Sequence, residues 1–302
     1  MSDTLNLMRR KKDACTKIQK VVGIMKIIAA SQIKDCQRSA QASENYYGNI
    51  KTALSAFLKK LGKVELKRIA LAPSTGAIIF GTDQGLVGPF NDILARFVAT
   101  SLKEKEEKKV FVIGERMGGV LEGQGVHVDH VYPMPRSAKE IPSTVHELML
   151  DLSSLIDYER RPTFFLFHNR SVPGVLLEPV STKVLPLDEV WKAELRQTVW
   201  PTHMIAEILE SDEIALVQLL REYLFAAFAR SLAESMACEN LVRFLSMQKA
   251  EKNINETVAD LTVNINMERQ SVIDAELFDV ISDFSALSEE SSGHSDGNYL
   301  IY

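Results

Sequence analysis

Glycine-rich turns after strands can hold phosphate groups on their backbone N–H groups, so such turns are the first candidates for chemistry. Gly114, Gly118 and Gly119 lie directly after the apolar run 110–113. Their spacing fits neither the dinucleotide-binding pattern nor the phosphate-binding loop that ends in Lys-Ser or Lys-Thr. The segment is therefore interpreted as a turn between a strand and a helix.

His127, Asp129 and His130 are a short group of side chains that could bind a metal ion. On a strand, the side chains of 127 and 129 share one face and that of 130 points to the other face. Because the sequence offers no third ligand for the shared face, a solvated strand is favoured over a metal site.

Asp3, Ser31 and His203 are the residue types of a hydrolytic triad, but nothing in the sequence brings them together. The chain therefore shows no catalytic constellation. Neither enzymatic activity nor a cofactor or metal ion is predicted.

The three cysteines are Cys15, Cys36 and Cys238. An odd number without close pairs argues against a disulfide scaffold and against a zinc site. Cys36 lies on an apolar seam and is predicted to be a small buried side chain. A reducing compartment fits this usage best.

The overall composition is that of an ordinary globular protein, with 46% hydrophobic and 25% charged residues and a net charge of −5. The charge balance gives no reason to expect nucleic acid as a partner. No apolar run reaches the roughly 18 residues that span a bilayer, and Lys26 interrupts the run 21–30. The N-terminal residues do not resemble a signal peptide.

Residues 18–57 repeat in steps of four and three, which predicts the seam of a long helix wound against a partner. Its positions are Ile18, Val22, Met25, Ala29, Gln32, Cys36, Ala40, Ser43, Tyr47, Ile50, Leu54 and Phe57. At about 1.5 Å per residue, this stretch would be roughly 60 Å long. The helix is expected to start near Asp3 or Thr4 and to stop at Gly62.

The middle third alternates between strand and helix patterns, which predicts a Rossmann-like α/β domain with some parallel pairing. Strands are expected at 77–80, 110–113, 126–131 near an edge and 164–167, with one or two more in 175–187. Helices are expected at 90–103 and 143–158, the second with Ser143 as its N-cap.

Residues 207–287 contain neither Pro nor Gly, which indicates one long helix. A second seam of four and three steps runs through Phe244, Met247, Glu251, Ile254, Val258, Leu261, Ile265, Glu268 and Val272. We expect the two ends of the chain to form an antiparallel coiled coil. The predicted domains are an N-terminal shaft helix 1–62, an α/β domain 63–204, a C-terminal shaft helix 205–287 and a disordered tail 288–302.

Three stretches, 17–33, 81–91 and 231–273, resemble in order the opening helix, a middle loop and the closing helix of the gamma subunit of F-type ATP synthases. The chain departs from the family pattern at Gly23, where Lys is usual, and at Asp274, where Thr is common. The usual Ser-Gly-Ala is Ser-Asp-Phe at 282–284, and the tail is longer. Both a housekeeping and a second-copy ATPase fit this pattern.

The resemblance implies a non-catalytic central rotor shaft that couples ion flow to ATP synthesis or hydrolysis. Its partners would be the alpha and beta subunits of the catalytic ring, the epsilon subunit and the membrane c-ring, without a membrane span of its own. The complex would lie at the cytoplasmic face of the plasma membrane. Both H⁺ and Na⁺ remain open as the coupling ion.

The resemblance also implies contact residues. Arg269 and Gln270 match a family pair that meets a loop of beta, and Arg and Gln suit such polar contacts. Met25 matches a family Met that faces an acidic lever of beta, with Lys20 and Lys26 beside it. For Met25 a plain seam residue is the alternative, and for both lysines the alternative is a solvated helix face. For Arg269 the alternative is a surface ion pair.

An apolar bearing is expected at the end of the closing helix, at Val280, Ile281 and Phe284. The middle loop carries the family motif at Asp83, Gly85, Leu86 and Gly88. Two other classes of protein stay open. One is a coiled-coil adaptor with an α/β protein-binding domain, and the other is an α/β enzyme with helical extensions.

Overall fold

The computed structural model describes residues 2–61, 75–105, 108–155, 163–185 and 211–292, with isolated positions between 193 and 207. The chain divides into two compact units, each described by itself. The helical unit comprises residues 1–25 and 247–302, and the α/β unit comprises residues 26–246.

The described residues form five α-helices and five strands. The helices are α1 (Ser2–Leu61), α2 (Phe90–Leu102), α3 (Glu115–Gly123), α4 (Ile141–Leu155) and α5 (Asp212–Ser292). The strands are β1 (Thr75–Phe80), β2 (Lys108–Ile113), β3 (His130–Tyr132), β4 (Thr163–Val172) and β5 (Val175–Leu185). A 3₁₀ turn, Ala138–Glu140, precedes α4.

The five strands form one sheet in the order β3-β2-β1-β4-β5. The pairs β3-β2, β2-β1 and β1-β4 are parallel, and β4 and β5 form an antiparallel hairpin. Pro179 pairs with Asn169 but lies on the edge strand β5, where a missing N–H is tolerated. The predicted α/β class with some parallel pairing is confirmed.

The sheet is covered on both faces. One face packs on α1, α4 and α5 through side chains such as Leu54, Val145 and Tyr223. The other face packs on α2 and α3 through side chains such as Leu94 and Leu121. Burial on both faces explains why β1 is buried along its whole length and reads as a continuous apolar run.

The third predicted strand, 126–131, is wrong over most of its length. Only His130–Tyr132 pairs with β2, at the sheet edge, and residues 126–128 have no regular structure. Asp129 interrupts the ladder, because its carboxylate accepts the N–H of Val110 at 2.7 Å while its own N–H donates to the carbonyl of Val110 at 2.9 Å. The Asp129 carboxylate thus accepts a hydrogen bond that a backbone carbonyl would accept in a continuous strand.

Two predicted helix starts are wrong. α4 begins at Ile141, and the Ser143 hydroxyl donates to the carbonyl of Glu140 at 2.8 Å inside the first turn, so it caps nothing. α1 is already helical at Ser2, which places the predicted caps at residues 3 and 4 inside the helix. Short polar side chains suit the first turn of a helix as well as its N-cap. The pattern therefore predicts the region in which the helix begins but not its first residue.

The seam predicted for α1 is buried or half-buried at eleven of its twelve positions, and Ile18 is the exception at 53% exposed. Gln19 replaces it on the seam, and its amide donates to the Asn255 side chain at 2.6 Å within the helical unit. In the first turns the seam therefore runs through Cys15, Gln19 and Val22.

The seam predicted for α5 is buried or half-buried at every position from Phe244 to Val272. In the α/β unit, contacts between α1 and α5 pair Tyr47 with Tyr223 and Cys36 with Asn240. Residue numbers fall along α1 as they rise along α5, so the predicted antiparallel pairing is confirmed there.

The last described helical residue is Ser292, five residues beyond the predicted helix end at Leu287. Residues 288–292, which were predicted to be disordered, are therefore helical. Residues 293–302 lie outside the described part of the chain.

Candidate functional site

The loop 81–89 follows β1 at the carboxyl edge of the sheet. β1 is flanked by β2 on one side and β4 on the other, and the chain order reverses there. In open α/β sheets, ligands bind in the crevice at this topological switch point. The loop motif that the resemblance singled out therefore lies where an α/β protein would hold a ligand.

Asp83 fixes the loop to its neighbours. One carboxylate oxygen accepts the N–H of Glu115 at 2.7 Å, at the start of α3, and the other accepts the N–H of Met134 at 2.9 Å, after β3. The Thr82 hydroxyl donates to the carbonyl of Gln84 at 3.0 Å. These contacts give Asp83 a positioning role inside the α/β unit.

Leu86 projects from the same loop. Its backbone has a φ of +65°, in the left-handed region that non-glycine residues rarely adopt, and its side chain is 57% exposed. The next residue, Val87, is buried against Phe90 and Val242. An anchored loop that holds a large apolar side chain in solvent fits a contact surface better than a packing site.

The crevice at the switch point is occupied by α5. The Ser235 hydroxyl donates to the carbonyl of Phe80 at 2.9 Å, at the very end of β1. The Asn169 amide donates to the carbonyl of Phe90 at 2.9 Å, and Cys238 is buried beside it in the cluster of Phe90. Side chains of the protein itself thus fill the position of a ligand.

A polar chain links three elements of the α/β unit. The imidazole of His168 on β4 lies 2.8 Å from the Glu234 carboxylate, which pairs with Arg230 at 3.0 Å. Arg230 also pairs with Glu44 of α1 at 2.5 Å. Burial alone would raise the pKa of Glu234, but His168 and Arg230 together hold that pKa below its usual value.

One turn further along α5, Glu239 and Arg243 form a buried ion pair, and Arg243 also contacts Asn240. Burial raises the pKa of Glu239, against the lowering effect of Arg243. In the sequence, these residues stood out only as part of the stretch 231–273 that resembles the family. Oppositely charged residues four apart inside a mostly apolar stretch were the available signal.

The glycine-rich turn after β2 serves packing. Gly114 has a φ of +115°, and a Cβ there would lie 2.7 Å from the backbone nitrogen of Thr82. Its N–H donates to the carbonyl of Tyr132 at 2.8 Å. The predicted strand-to-helix turn is therefore present, and glycine is needed for the close approach of two chain segments.

The other candidates for chemistry do not form sites. Asp129 is bound to β2, and the ring of His130 stacks on Phe111 at 5.6 Å between centroids. Among the described residues, no group of three or more His, Cys, Asp or Glu side chains could hold a metal ion. Asp3 and Ser31 lie far apart along α1, and residue 203 is outside the described residues.

Two cysteines are buried and inert. Cys36 lies on the α1 seam as predicted, and burial raises the pKa of its thiol to about 11. Burial likewise raises the pKa of Cys238 to about 12. Both thiols therefore stay protonated near neutral pH, and all three cysteines are free.

Arg269 and Gln270 are exposed on α5, off its seam, in the helical unit. Lys20 is exposed on α1 in the same unit, and Met25 is half-buried on the seam. Arg269 follows Asn255 by 14 residues on α5, and Asn255 contacts Gln19, the neighbour of Lys20, so the Arg-Gln pair lies about 20 Å along α5 from that contact. The predicted contact residues thus fall at two separate levels.

Lys26 is half-buried and belongs to the α/β unit. Two of the three predicted bearing residues are highly exposed, Val280 at 68% and Ile281 at 52%. The side chain of Phe284 is outside the description. The exposed apolar end of α5 is thus present at the position of the predicted bearing.

A protein-family model described as ATP synthase matches residues 4–287. The chain belongs to the ATP synthase family. The ATP synthase gamma chain of Pasteurella multocida is 26% identical over 298 residues, with 93% of this chain and 98% of that relative covered. The gamma chain of Acetivibrio thermocellus is 21% identical, with 94% and 99% covered. The resemblance to the gamma subunit is confirmed.

Solved ATP synthase structures share the fold. A chain of the Euglena gracilis mitochondrial ATP synthase in its OSCP/F1/c-ring assembly gives a TM-score of 0.65 at 14% identity, covering 99% of this chain and all of that one. A rotor chain of the same enzyme gives 0.60 at 12% identity, covering 90% and 100%. Long terminal helices around an α/β domain are therefore the family fold. No described helix is long and apolar enough to cross a membrane.

Proposed function

We propose that this member of the ATP synthase family is the central rotor shaft of an F-type ATP synthase. The observation that carries the proposal is the match of the chain to its family over residues 4–287. The antiparallel pairing of two long helices in the α/β unit agrees with it. The helices supply a stiff shaft, and the α/β domain supplies a foot that transmits torque.

The proposed partners are the alpha and beta subunits of the catalytic ring, the epsilon subunit and the membrane c-ring. The solved structures support the catalytic ring and the c-ring, because their assemblies include OSCP/F1/c-ring from Euglena gracilis and a central stalk with its c-ring from Tetrahymena thermophila. The epsilon subunit is proposed from the resemblance to the gamma subunit. The domain division proposed from the sequence fits this role, with shaft helices 1–62 and 205–287. The complex would lie at the cytoplasmic face of the plasma membrane.

The chain itself is proposed to be non-catalytic. The switch-point crevice of its sheet is filled by Ser235, Cys238 and neighbouring side chains of α5. An anchored α5 in this position suits torque transfer between the sheet and the shaft, because rotation of one must move the other. ATP chemistry would then belong to the ring around the shaft.

Two groups of side chains on the long helices are proposed to bind beta. Arg269 and Gln270 offer a planar guanidinium and an amide off the seam, so they can pair with polar groups of the ring without disturbing α1. Lys20 and Lys26, near Met25, are proposed to add positive charge at a second position along the shaft. Val280, Ile281 and Phe284 are proposed as an apolar bearing, which carries no hydrogen bonds that rotation would have to break.

The test is purification of the tagged full-length chain with the alpha and beta chains of the same organism. We expect alpha and beta in threefold excess over this chain and ATPase activity in the complex. Recovery of the chain without alpha and beta would contradict the proposal and favour the adaptor.

The double variant Arg269→Ala/Gln270→Ala is expected to leave the complex assembled and to lower its ATPase activity about tenfold or more, as for the loss of polar contacts worth about 1.4 kcal/mol. Lys252→Ala, an exposed residue of the same helix, serves as the control and should keep full activity. Full activity of the double variant would reject the assignment of these two residues.

A further inference from the structure

Helix α5 is tied to two central strands of the sheet at one point. The imidazole Nε2 of His168 on β4 lies 2.8 Å from a carboxylate oxygen of Glu234, and the Ser235 hydroxyl donates to the carbonyl of Phe80 on β1 at 2.9 Å. Phe80 and His168 are register partners across β1 and β4, and Glu234 and Ser235 are neighbours on α5. We call these four residues the α5–sheet joint.

Much of the packing around the joint has no preferred direction. Four buried alanines of α5 lie in the same core cluster, namely Ala226, Ala227, Ala229 and Ala233. The hydrophobic effect stabilises such contacts in proportion to the buried area and is non-directional. Hydrogen bonds weaken steeply when their angle changes. The joint therefore fixes the rotation of α5 about its own axis relative to the sheet.

The joint is connected to the other long helix as well. Glu234 accepts a hydrogen bond from Nε of Arg230 at 3.0 Å through its second carboxylate oxygen, and the same guanidinium pairs with Glu44 of α1 at 2.5 Å. Arg230 also lies over the ring of Tyr47 of α1, 5.3 Å from its centroid. One continuous set of polar contacts thus runs from β4 through α5 to α1, and it lies wholly within the α/β unit.

His168 makes this contact at a cost to folding stability. Its side chain is 4% exposed, and its second ring nitrogen, Nδ1, has no hydrogen-bond partner among the described residues. A buried polar atom without a partner destabilises the folded state, and an apolar ring of similar size would avoid that loss. Residues that break a packing rule in this way are typical of functional positions. The contact with Glu234 therefore explains a histidine at this position.

From this arrangement we propose that His168 is a positioning residue for torque transfer. Through Glu234 and Arg230 it locks the sheet to both long helices, so that the sheet and these helices turn together. The inference rests on the proposed rotor function and names the residues that transmit the torque within the α/β unit. Loss of the contact should soften the connection without stopping ATP hydrolysis, because the proposed function places the ATP chemistry in the ring.

The experiment measures the torsional stiffness of the complete complex. The full-length chain is assembled with the alpha and beta chains of the same organism, beta is fixed to a surface, and a probe is attached at the exposed Lys139 of the α/β unit. The variance of the probe angle is recorded from thermal fluctuations without ATP. ATP hydrolysis and thermal unfolding are measured on the same complexes, so that a positioning role is separated from a purely structural one.

Two substitutions of His168 form a matched pair. In His168→Gln the amide nitrogen lies as many bonds from Cβ as the ring Nε2 does, so it can still donate to Glu234. In His168→Asn the amide nitrogen takes the place of Nδ1 and does not reach that carboxylate. The control is Val98→Ala, which removes buried atoms from the core cluster on the other face of the sheet.

We expect His168→Asn to raise the variance of the probe angle about 1.5-fold to twofold, because one of the two hydrogen bonds of the joint is lost. Its rate of ATP hydrolysis without load should remain that of the unchanged complex. His168→Gln and Val98→Ala should both keep the original variance, although Val98→Ala lowers the melting temperature.

A second variant tests the same link if His168→Asn does not assemble. Glu44→Gln breaks the ion pair with Arg230 at the α1 end, and the Glu44 side chain is 47% exposed, so folding should change little. This variant should also raise the variance of the probe angle, by less than the loss of the histidine contact would.

Three results would overturn the inference. The first is an unchanged variance in His168→Asn, or in Glu44→Gln where that variant replaces it. The second is an equal rise of the variance in Val98→Ala, which would assign the softening to a weaker core. The third is an equal rise in His168→Gln. An unchanged chain that does not assemble with alpha and beta would instead overturn the proposed function, and this inference with it.

Discussion

The α/β unit and the helical unit differ in where their polar and apolar groups find partners. In the α/β unit, charged groups such as Glu234 and Glu239 are paired internally, and the last carbonyl of β1 accepts a hydrogen bond from Ser235 of α5. In the helical unit, apolar side chains such as Leu277 and Val280 stand in solvent. In the first unit the buried charges are paired internally, whereas the second exposes much of its apolar surface at the end of α5.

Mutations in the two units should therefore affect different properties of the protein. Changes in the α/β unit should be measured as loss of folding stability, because they break internal contacts. Changes at the exposed end of the helical unit should be measured as loss of association, with folding nearly unchanged. The following predictions pair each change in the α/β unit with a control from the helical unit.

The largest effect is expected at the buried ion pair. Arg243→Met leaves the Glu239 carboxylate buried without a partner and should lower the free energy of unfolding by about 4 kcal/mol. Lys252→Met breaks the exposed pair with Glu256 in the helical unit and should cost less than about 1 kcal/mol. Urea unfolding of both variants measures the difference. Equal losses would break the comparison.

Two glycine substitutions, one in each unit, are expected to change the folding stability in opposite directions. Gly114→Ala places a Cβ against the backbone of Thr82 at a φ of +115° and should destabilise by about 3 kcal/mol. Gly23→Ala, inside α1 of the helical unit, meets nothing within 4 Å and should stabilise by about 1 kcal/mol. Thermal melts of the two variants should shift in opposite directions, and a common direction would contradict this assignment.

A smaller effect is expected at Glu234, with a characteristic pH dependence. His168 and Arg230 lower its pKa in the folded state, so its stabilisation is present above the unfolded pKa of about 4.3 and is lost as pH falls through the folded pKa. Glu234→Gln should cost about 2 kcal/mol at pH 7 and flatten the acid side of the stability curve.

The control for this prediction is Glu256→Gln, an exposed residue of the helical unit. Its stability curve should follow that of the unchanged chain between pH 7 and pH 3. If Glu234→Gln loses stability on acidification as steeply as the unchanged chain, another carboxylate carries the effect.

Much of the fold was predictable because burial imposes a period on the sequence. The seams of α1 and α5 were read from steps of three and four, and burial confirms all but Ile18. The strands β1, β2 and β4 were visible as apolar runs because both faces of the sheet are covered. A periodic pattern of apolar residues does not depend on which element packs against the helix or strand, so it can be recognised without the structure.

Features that depend on single side-chain contacts were not predictable in this way. Asp129 cuts β3 short by a bond to Val110, and Ser143 lies inside a helix that it was expected to cap. The role of Asp83 as an anchor for Glu115 and Met134 also needs the tertiary structure, because the three residues are far apart in sequence. Single side-chain contacts of this kind produce no periodic pattern in the sequence.

The contact residues came from the family resemblance and not from periodicity. Arg269, Gln270 and Lys20 are exposed positions on long helices, and exposure alone would not distinguish them from their solvated neighbours. Their role depends on the ring that surrounds them, which is another molecule.

The central claim is that this chain turns inside a ring, and rotation tests it most directly. The complex with alpha and beta is fixed to a surface through beta, and a probe is attached to an exposed residue of the α/β unit such as Lys139. We expect ATP to drive rotation of the probe in one direction and Arg269→Ala/Gln270→Ala to slow this rotation. ATP hydrolysis by the same complexes with a stationary probe would contradict the account.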